Sequence, residues 1–119
     1  MWSETAQPRE TALAVKLVAL YKTPENLGAF LSHYEQVHLP LVRAIPNLER
    51  VTVSRVINSL MGEGPFVLMA EMVFPDKERF DEALRSAQNK AAGDDLRAFA
   101  QGLVTLMVVE EQGLASGAS

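Results

Sequence analysis

The sequence predicts an α+β domain in which a four-stranded antiparallel sheet carries two helices on one face. Two observations point there. The segments alternate as strand, helix, strand, strand, helix, strand, and the 119 residues fit one domain that removes roughly two-thirds of its unfolded surface from water. A third observation, that the strands are apolar on both sides, predicts that the sheet does not stand alone.

The first strand runs over Ala12 to Tyr21, where Val15, Leu17, Val18 and Leu20 make a largely apolar segment. Thr23 then offers an N-cap, Pro24 suits the first helical position and Glu25 favours the positive end of the helix dipole. In the helix that follows, Leu27, Phe30, Leu31, Tyr34, Val37, Leu41 and Ile45 recur at three- and four-residue steps and form one apolar stripe. Pro40 weakens this helix, because an interior proline deletes a donor and crowds the preceding turn, and Pro46 with Asn47 ends it. Leu48 to Ile57 gives a second strand and Phe66 to Phe74 a third, joined through NSLMGEGP, whose two glycines and proline suit a long hairpin loop. Pro75 and Asp76 open a second helix with Phe80, Ala83, Leu84 and Ala87 at helical spacing. A break near Gly93 lets Asp94 cap a short helix holding Leu96 and Phe99, and Gly102 to Val109 closes the domain as a fourth strand. This order is the ferredoxin-like, split βαβ arrangement. The ordered body is expected over residues 11–111, with 1–10 and 112–119 having the polar, small or Gly-containing composition of flexible tails.

On the third strand Phe66, Leu68, Ala70, Met72 and Phe74 point one way, while Val67, Met69 and Val73 point the other beside Glu71. The first and fourth strands are similarly apolar on both faces, with Lys16 and Thr105 as exceptions. Two helices cover one side only, so the other is expected to meet a second sheet, most economically that of a second copy.

Composition is that of a globular protein, with 48% hydrophobic and 22% charged residues, and suggests neither a disordered chain nor a membrane protein. A net charge of −4 without any Lys/Arg cluster argues against a nucleic-acid partner. The lack of cysteine excludes disulfides, thiolate metal sites and cysteine nucleophiles. The polar opening MWSETAQPRE does not resemble a signal sequence, so a cytoplasmic location is expected. No G-x-G-x-x-G, Walker sequence or G-x-S-x-G elbow is present, which disfavours nucleotide binding and serine-hydrolase chemistry.

Both histidines fall on the first helix. On its wheel His38 lies about 40° from the centre of the apolar stripe and His33 about 100° away, so only His38 faces the core. The spacing H-x4-H separates the two side chains by about 140° on a helix, unlike the H-E-x-x-H arrangement of a zinc site. No metal is expected, and His33 reads as a solvated flank residue. A buried His38 is either a tether, bonded to a carbonyl freed by Pro40, or a proton-transfer group whose ordinary pKa near roughly 6.5 suits physiological pH. Tyr34 lies one turn before His38 on the same stripe, and it and Tyr21 offer phenols that either orient a ligand or only fill core. Pairing the midpoints of the first and third strands places Lys16 nearly opposite Glu71, on a face expected to carry Val18, Leu20, Met69, Val53 and Arg55 as well. Lys16 and Glu71 then form a structural ion pair, or Lys16 or Arg55 holds an anionic or enolate oxygen while His38 moves the proton.

The chain resembles the EthD family of the dimeric α+β barrel group. The likeness lies in the YK-x-PE opening at Tyr21 to Glu25, the HLPL run at His38 to Leu41, VSRV at Val53 to Val56, and the strand end Glu71 to Phe74 followed by Asp76. It continues in AL-x-S at Ala83 to Ser86 and in DDLRAFAQG-x-VT, which ends at Thr105. It covers about nine-tenths of the chain, and HLPL with the late Asp-Leu-x-x-Phe is its most specific part. The resemblance implies a homodimer with facing sheets. The family takes its name from a protein of an ethyl tert-butyl ether degradation system, and wider relatives include cofactor-independent monooxygenases, lactone isomerases and polyketide cyclases.

Two functions follow as expectations. The first is an enzyme without bound cofactor, acting on a small apolar carbonyl, phenol or lactone in degradation of organic compounds, with His38 as general acid or base and Tyr34, Tyr21, Arg55, Lys16 and Glu71 as candidate substrate contacts. The second is a non-catalytic accessory or ligand-carrying dimer in which His38 fastens the first helix. A haem-binding version, implied by haem-using members of the wider group, ranks behind both.

Overall fold

Antiparallel pairing on both sides of the first strand sets the architecture. The computed structural model describes residues 13–112. In it β1 (Val15–Lys22), β2 (Arg50–Arg55), β3 (Phe66–Phe74) and β4 (Val104–Glu110) form one sheet in the order β2-β3-β1-β4. The α+β, split βαβ order read from the sequence is therefore the order observed. The stretches expected to be tails lie, apart from Gln112, outside the described residues.

The helical layer has three parts. The first is a continuous rod made of α1 (Leu27–His33), a π-helical stretch (Tyr34–His38) and α2 (Leu39–Arg43); α3 (Lys77–Leu84) and α4 (Ala87–Ala100) follow β3. Each helix start is fixed by a side chain that accepts an otherwise orphaned backbone N–H: Asn26 from Ala29 at 3.0 Å, Asp76 from Arg79 at 2.8 Å and Ser86 from Asn89 at 3.0 Å. Two expectations are corrected here. The first helix is capped by Asn26 rather than Thr23, leaving Pro24 and Glu25 before it. The break in the second helical region falls between Leu84 and Ala87, where Ser86 has extended backbone, and α4 passes without interruption through Gly93 and Asp94. Asp94 instead faces outward and bonds Lys90 at 3.0 Å and Arg97 at 2.7 Å.

Register assigns the two faces of the sheet. Val15 pairs with Phe74, Leu17 with Met72, Ala19 with Ala70 and Tyr21 with Leu68, and these side chains meet the helices. Tyr21, Phe74 and Val15 are each 1% exposed. Phe30, Tyr34, Val42, Ile45, Phe80 and the small Ala83, Ala92 and Ala100 complete this core from the helical side. The Phe74 and Phe80 rings meet edge to face at 5.3 Å and dock α3 on the end of β3. Asn47, in the left-handed region at φ 67°, donates to the Arg79 carbonyl at 2.9 Å and to Glu82 at 3.0 Å, so the turn before β2 is tied to α3.

The opposite face carries Lys16, Val18 and Leu20 of β1, Met69, Glu71 and Val73 of β3, and Thr105, Met107 and Val109 of β4. Its β2 portion is polar, with Arg50, Thr52 and Ser54. Val53 and Arg55 pair with Ala70 and Leu68 and so lie on the helix face, not on the Lys16 face as expected. Lys16 and Glu71 do share a face, but Lys16 pairs with Val73 and Glu71 with Val18, one step off direct opposition. Among the described residues no ion pair joins them. The edge strand β4 is exposed on both sides, with Leu106 at 47%, Met107 at 41% and Val108 at 56%.

Because Phe74 closes the core at the point where sheet and α3 meet, Phe74→Ala should remove about 3–5 kcal/mol of stability, read as a lowered midpoint in urea unfolding.

Candidate functional site

A wide helical turn builds the site. Over Tyr34–His38 the backbone closes its hydrogen bonds on the fifth residue, the Leu39 N–H reaching the Tyr34 carbonyl. Pro40 follows directly; it has no N–H to give to an α-helical ladder, so the α pattern would be incomplete here in any case. The physical consequence is that residues five apart come round to nearly the same side. His33 and His38, which a regular α-helix would hold well apart, both turn toward α4.

There they meet one carboxylate. His33 Nε2 lies 2.9 Å from Asp95 Oδ1 and 3.1 Å from Oδ2, and His38 Nδ1 lies 2.9 Å from Oδ2. Asp95 sits three residues after the buried Ala92 and four before Phe99, which puts an acid inside the apolar stripe of α4. The Phe99 ring packs against both imidazoles, at 4.6 Å from His33 and 4.9 Å from His38, and joins them to an aromatic cluster with Phe30, Tyr21 and Tyr34. The side chains differ in exposure: 34% for His33, 14% for Asp95 and 5% for His38.

The carboxylate only accepts, so the neutral His38 ring carries its proton on Nδ1 and leaves Nε2 with a free lone pair. Among the described residues Nε2 has no partner. The ring forms part of the wall of a cavity of about 230 Å³ between the sheet and the helices. Leu17 and Ala19 of β1, Met72 of β3, and Val42 and Leu96 line it, with His38, Tyr21, Asn89 and Arg97 as polar groups. Burial holds the His38 pKa below its ordinary 6.5, and the hydrogen bond and charge of Asp95 act in the opposite sense. Burial also raises the Tyr21 phenol far above its ordinary 10, with the charges of Tyr34 and Asp95 adding to the effect. Tyr34 is pushed up to about 12 by burial, against the lowering influence of Arg43. Both phenols therefore stay protonated as hydrogen-bond donors.

The residues singled out from the sequence are divided by the fold. His38 and Tyr21 share the cavity. Tyr34 and Arg55 line a separate hollow of about 360 Å³ with Glu35 and Leu68, and Arg55 Nε donates to the Val67 carbonyl at 3.3 Å. Lys16 and Glu71 lie on the far face of the sheet, so neither they nor Arg55 meet a group held at His38. His33, read as a solvated flank residue, is instead a bonded member of the site, and Asp95 and Phe99 are members that sequence reasoning left without a role. The available signal for both was the Asp-Leu-x-x-Phe run, an acid and an aromatic on an otherwise apolar stripe. Among the described residues no group of three or more His, Cys, Asp or Glu side chains is arranged to hold a metal ion, and no helix is long and apolar enough to cross a membrane.

A base whose folded pKa is lowered contributes its full share of stability above the unfolded value and loses it as pH falls toward the folded value. Stability is therefore expected to decline as pH drops below 6.5, and His38→Gln should flatten that decline in urea midpoints measured across the range. Asp95→Ala should cost about 1–3 kcal/mol for each ring N–H left unsatisfied, measured at a pH above that range.

Comparison with known proteins adds the family. A protein of Rhodococcus erythropolis, described as an uncharacterized 11.0 kDa protein in the thcB–thcC intergenic region, is 31% identical over 98 residues, covering 82% of this chain and 94% of its own. The crystal structure of an ethyl tert-butyl ether degradation (EthD) family protein from Bacillus halodurans is 46% identical, with a TM-score of 0.78, 83% of this chain and 99% of that one covered. SnoaB from Streptomyces nogalater, described as a cofactor-independent oxygenase, shares the fold at 18% identity and a TM-score of 0.60, covering 91% of this chain and 100% of its own. Proteins from Bacteroides fragilis and Jannaschia, described as dimeric and ferredoxin-like, share it at 16% identity with TM-scores of 0.57 and 0.61, covering 82% and 83% of this chain and 96% and 99% of theirs. The EthD domain model matches residues 22–102, well over half of the sequence, taking in every helix, β2 and β3 but neither β4 nor β1 before Lys22, and the chain belongs to the EthD family.

Proposed function

We propose that this protein is a cofactor-independent enzyme that uses His38 as general base and acid on a small, largely apolar carbonyl, phenol or lactone compound, in the degradation of organic compounds. The observation that carries this reading is the free Nε2 of a buried imidazole, oriented through Nδ1 by a carboxylate, on the wall of an apolar cavity. Nε2 takes a proton from the carbon beside a carbonyl or from a phenol, and Asp95 stabilises the imidazolium through the Nδ1–H bond. The protonated Tyr21 hydroxyl and the Arg97 guanidinium, both on the cavity wall, are the groups available to a developing oxyanion. His38 then returns the proton to the product. The cofactor-independent oxygenase activity named for SnoaB supports a family of folds that works without a bound group.

The protein acts as a homodimer with the Lys16 face of each sheet turned inward. The exposed Met107 and Val109 beside Val18, Leu20 and Met69 support this arrangement, as do the dimeric proteins of similar fold.

Two measurements test these readings. In a panel of small phenols, ketones and lactones screened by saturation-transfer NMR, the wild type should bind and convert at least one, and His38→Ala should bind it with turnover lowered about 10²- to 10⁴-fold. Equal turnover would remove His38 from the chemistry, and binding without turnover in either protein would favour a ligand-carrying dimer. Light scattering should give twice the chain mass, and Met107→Asp should shift it toward the monomer; a wild type that stays monomeric at high concentration contradicts the facing sheets.

A further inference from the structure

The proton transfer just described leaves His33 without a task, although it is bonded more extensively to Asp95 than His38 is. We propose that His33 is a positioning residue for His38 that acts through Asp95: it anchors the carboxylate by both oxygens and, by sharing its charge, sets how readily His38 takes a proton. The proposal deepens the reading of His38 as the acid–base group and rests on it.

Geometry supplies the first half. A carboxylate held by one bond can turn about its Cβ–Cγ axis, whereas Asp95 is held at Oδ1 by His33 (2.9 Å) and at Oδ2 by both rings (3.1 and 2.9 Å). That grip keeps Oδ2 on His38 Nδ1, which is what leaves Nε2 of the neutral ring unprotonated. His33 lies on α1 and His38 at the end of the π-helical stretch, so the wide turn between them is what allows one side chain to serve both.

Charge supplies the second half. His33 is the more exposed of the pair, and a charge on it acts to lower the His38 pKa. Once His33 is an imidazolium, the single negative charge between the rings is neutralised, and a second proton on His38 would face a positive neighbour across one carboxylate. The other groups around His38 do not change this balance. Arg97 of α4 is cationic throughout, Tyr21 of β1 and Tyr34 are phenols raised by burial, and α3, β3 and β4 present only Leu84, Met72 and Leu106 to the same cavity. Phe99 packs against both rings, so the carboxylate is the polar link between them. His33 thus bears on whether His38 receives the full charge of Asp95.

Nitrogen-15 NMR of labelled imidazoles in the whole protein tests this without any substrate, so it can fail or succeed independently of turnover. In wild type the His38 nitrogens should respond to pH in two steps, one of them shared with the His33 nitrogens, with Nδ1 carrying the proton of the neutral ring. In His33→Gln the response should become a single step with its midpoint raised by about one pH unit, the scale of one nearby charge. In Asp95→Asn the Nδ1 preference should disappear and the midpoint should fall. An unchanged His38 midpoint in His33→Gln overturns the proposal. Should that variant fail to fold, the wild-type curve decides: two steps at His38 support the coupling, and one simple step overturns it.

Discussion

A carboxylate sunk to 14% exposure must have its oxygens satisfied by the protein, and Asp95 meets that constraint with two imidazoles supplied from one helical rod. The rest of the site follows from this. Two histidines can reach one acid only if the rod widens between them, and the π-helical stretch Tyr34–His38 provides the extra residue. Holding the acid in turn fixes the tautomer of His38 and leaves Nε2 without a partner among the described residues, on a ring that lines the hollow under the helices. A local irregularity of backbone, an ion-pairing requirement and a reactive lone pair are thus one feature seen at three levels.

The surroundings decide what this lone pair can do. The cavity is walled mostly by aliphatic side chains, so the desolvation that lowers the His38 pKa also strengthens any hydrogen bond formed inside it. Tyr21 is the most telling neighbour. It belongs to the central strand, is 1% exposed and is kept protonated by burial, which makes it a fixed donor rather than a second base. The cavity wall therefore holds both an imidazole with a free acceptor and a phenol kept as a donor.

The two faces of the sheet solve different problems. On the helix face, small and large residues alternate along β1 and β3, so that Ala19 and Ala70 leave room while Tyr21, Met72 and Phe74 fill it. Among the described residues no helix covers the far face, yet its β1, β3 and β4 positions are mostly apolar, with Lys16, Glu71 and Thr105 the exceptions, and its β2 positions are polar. At the β4 edge the exposed Met107 and Val109 belong to this face and the exposed Leu106 and Val108 to the helix face.

The amino-acid order alone determined the element sequence, the sheet and its two apolar faces, because period-two and helical hydrophobic patterns and the turn residues between them are local properties. It also marked His38 as the buried histidine, since that residue lies near the middle of its stripe on any helical wheel. Cap positions shifted by three residues from Thr23 to Asn26 and by eight from Asp94 to Ser86, in stretches where several polar side chains offer the same capping chemistry. The placement of Arg55 and Lys16 on opposite faces depended on strand register, which pairing partners fix and a midpoint guess does not. The role of His33 and Asp95 belonged wholly to the tertiary structure. A wheel of 3.6 residues per turn separates the two histidines, and only a backbone widened before Pro40, packed against α4, brings both onto an acid some sixty positions later in the chain.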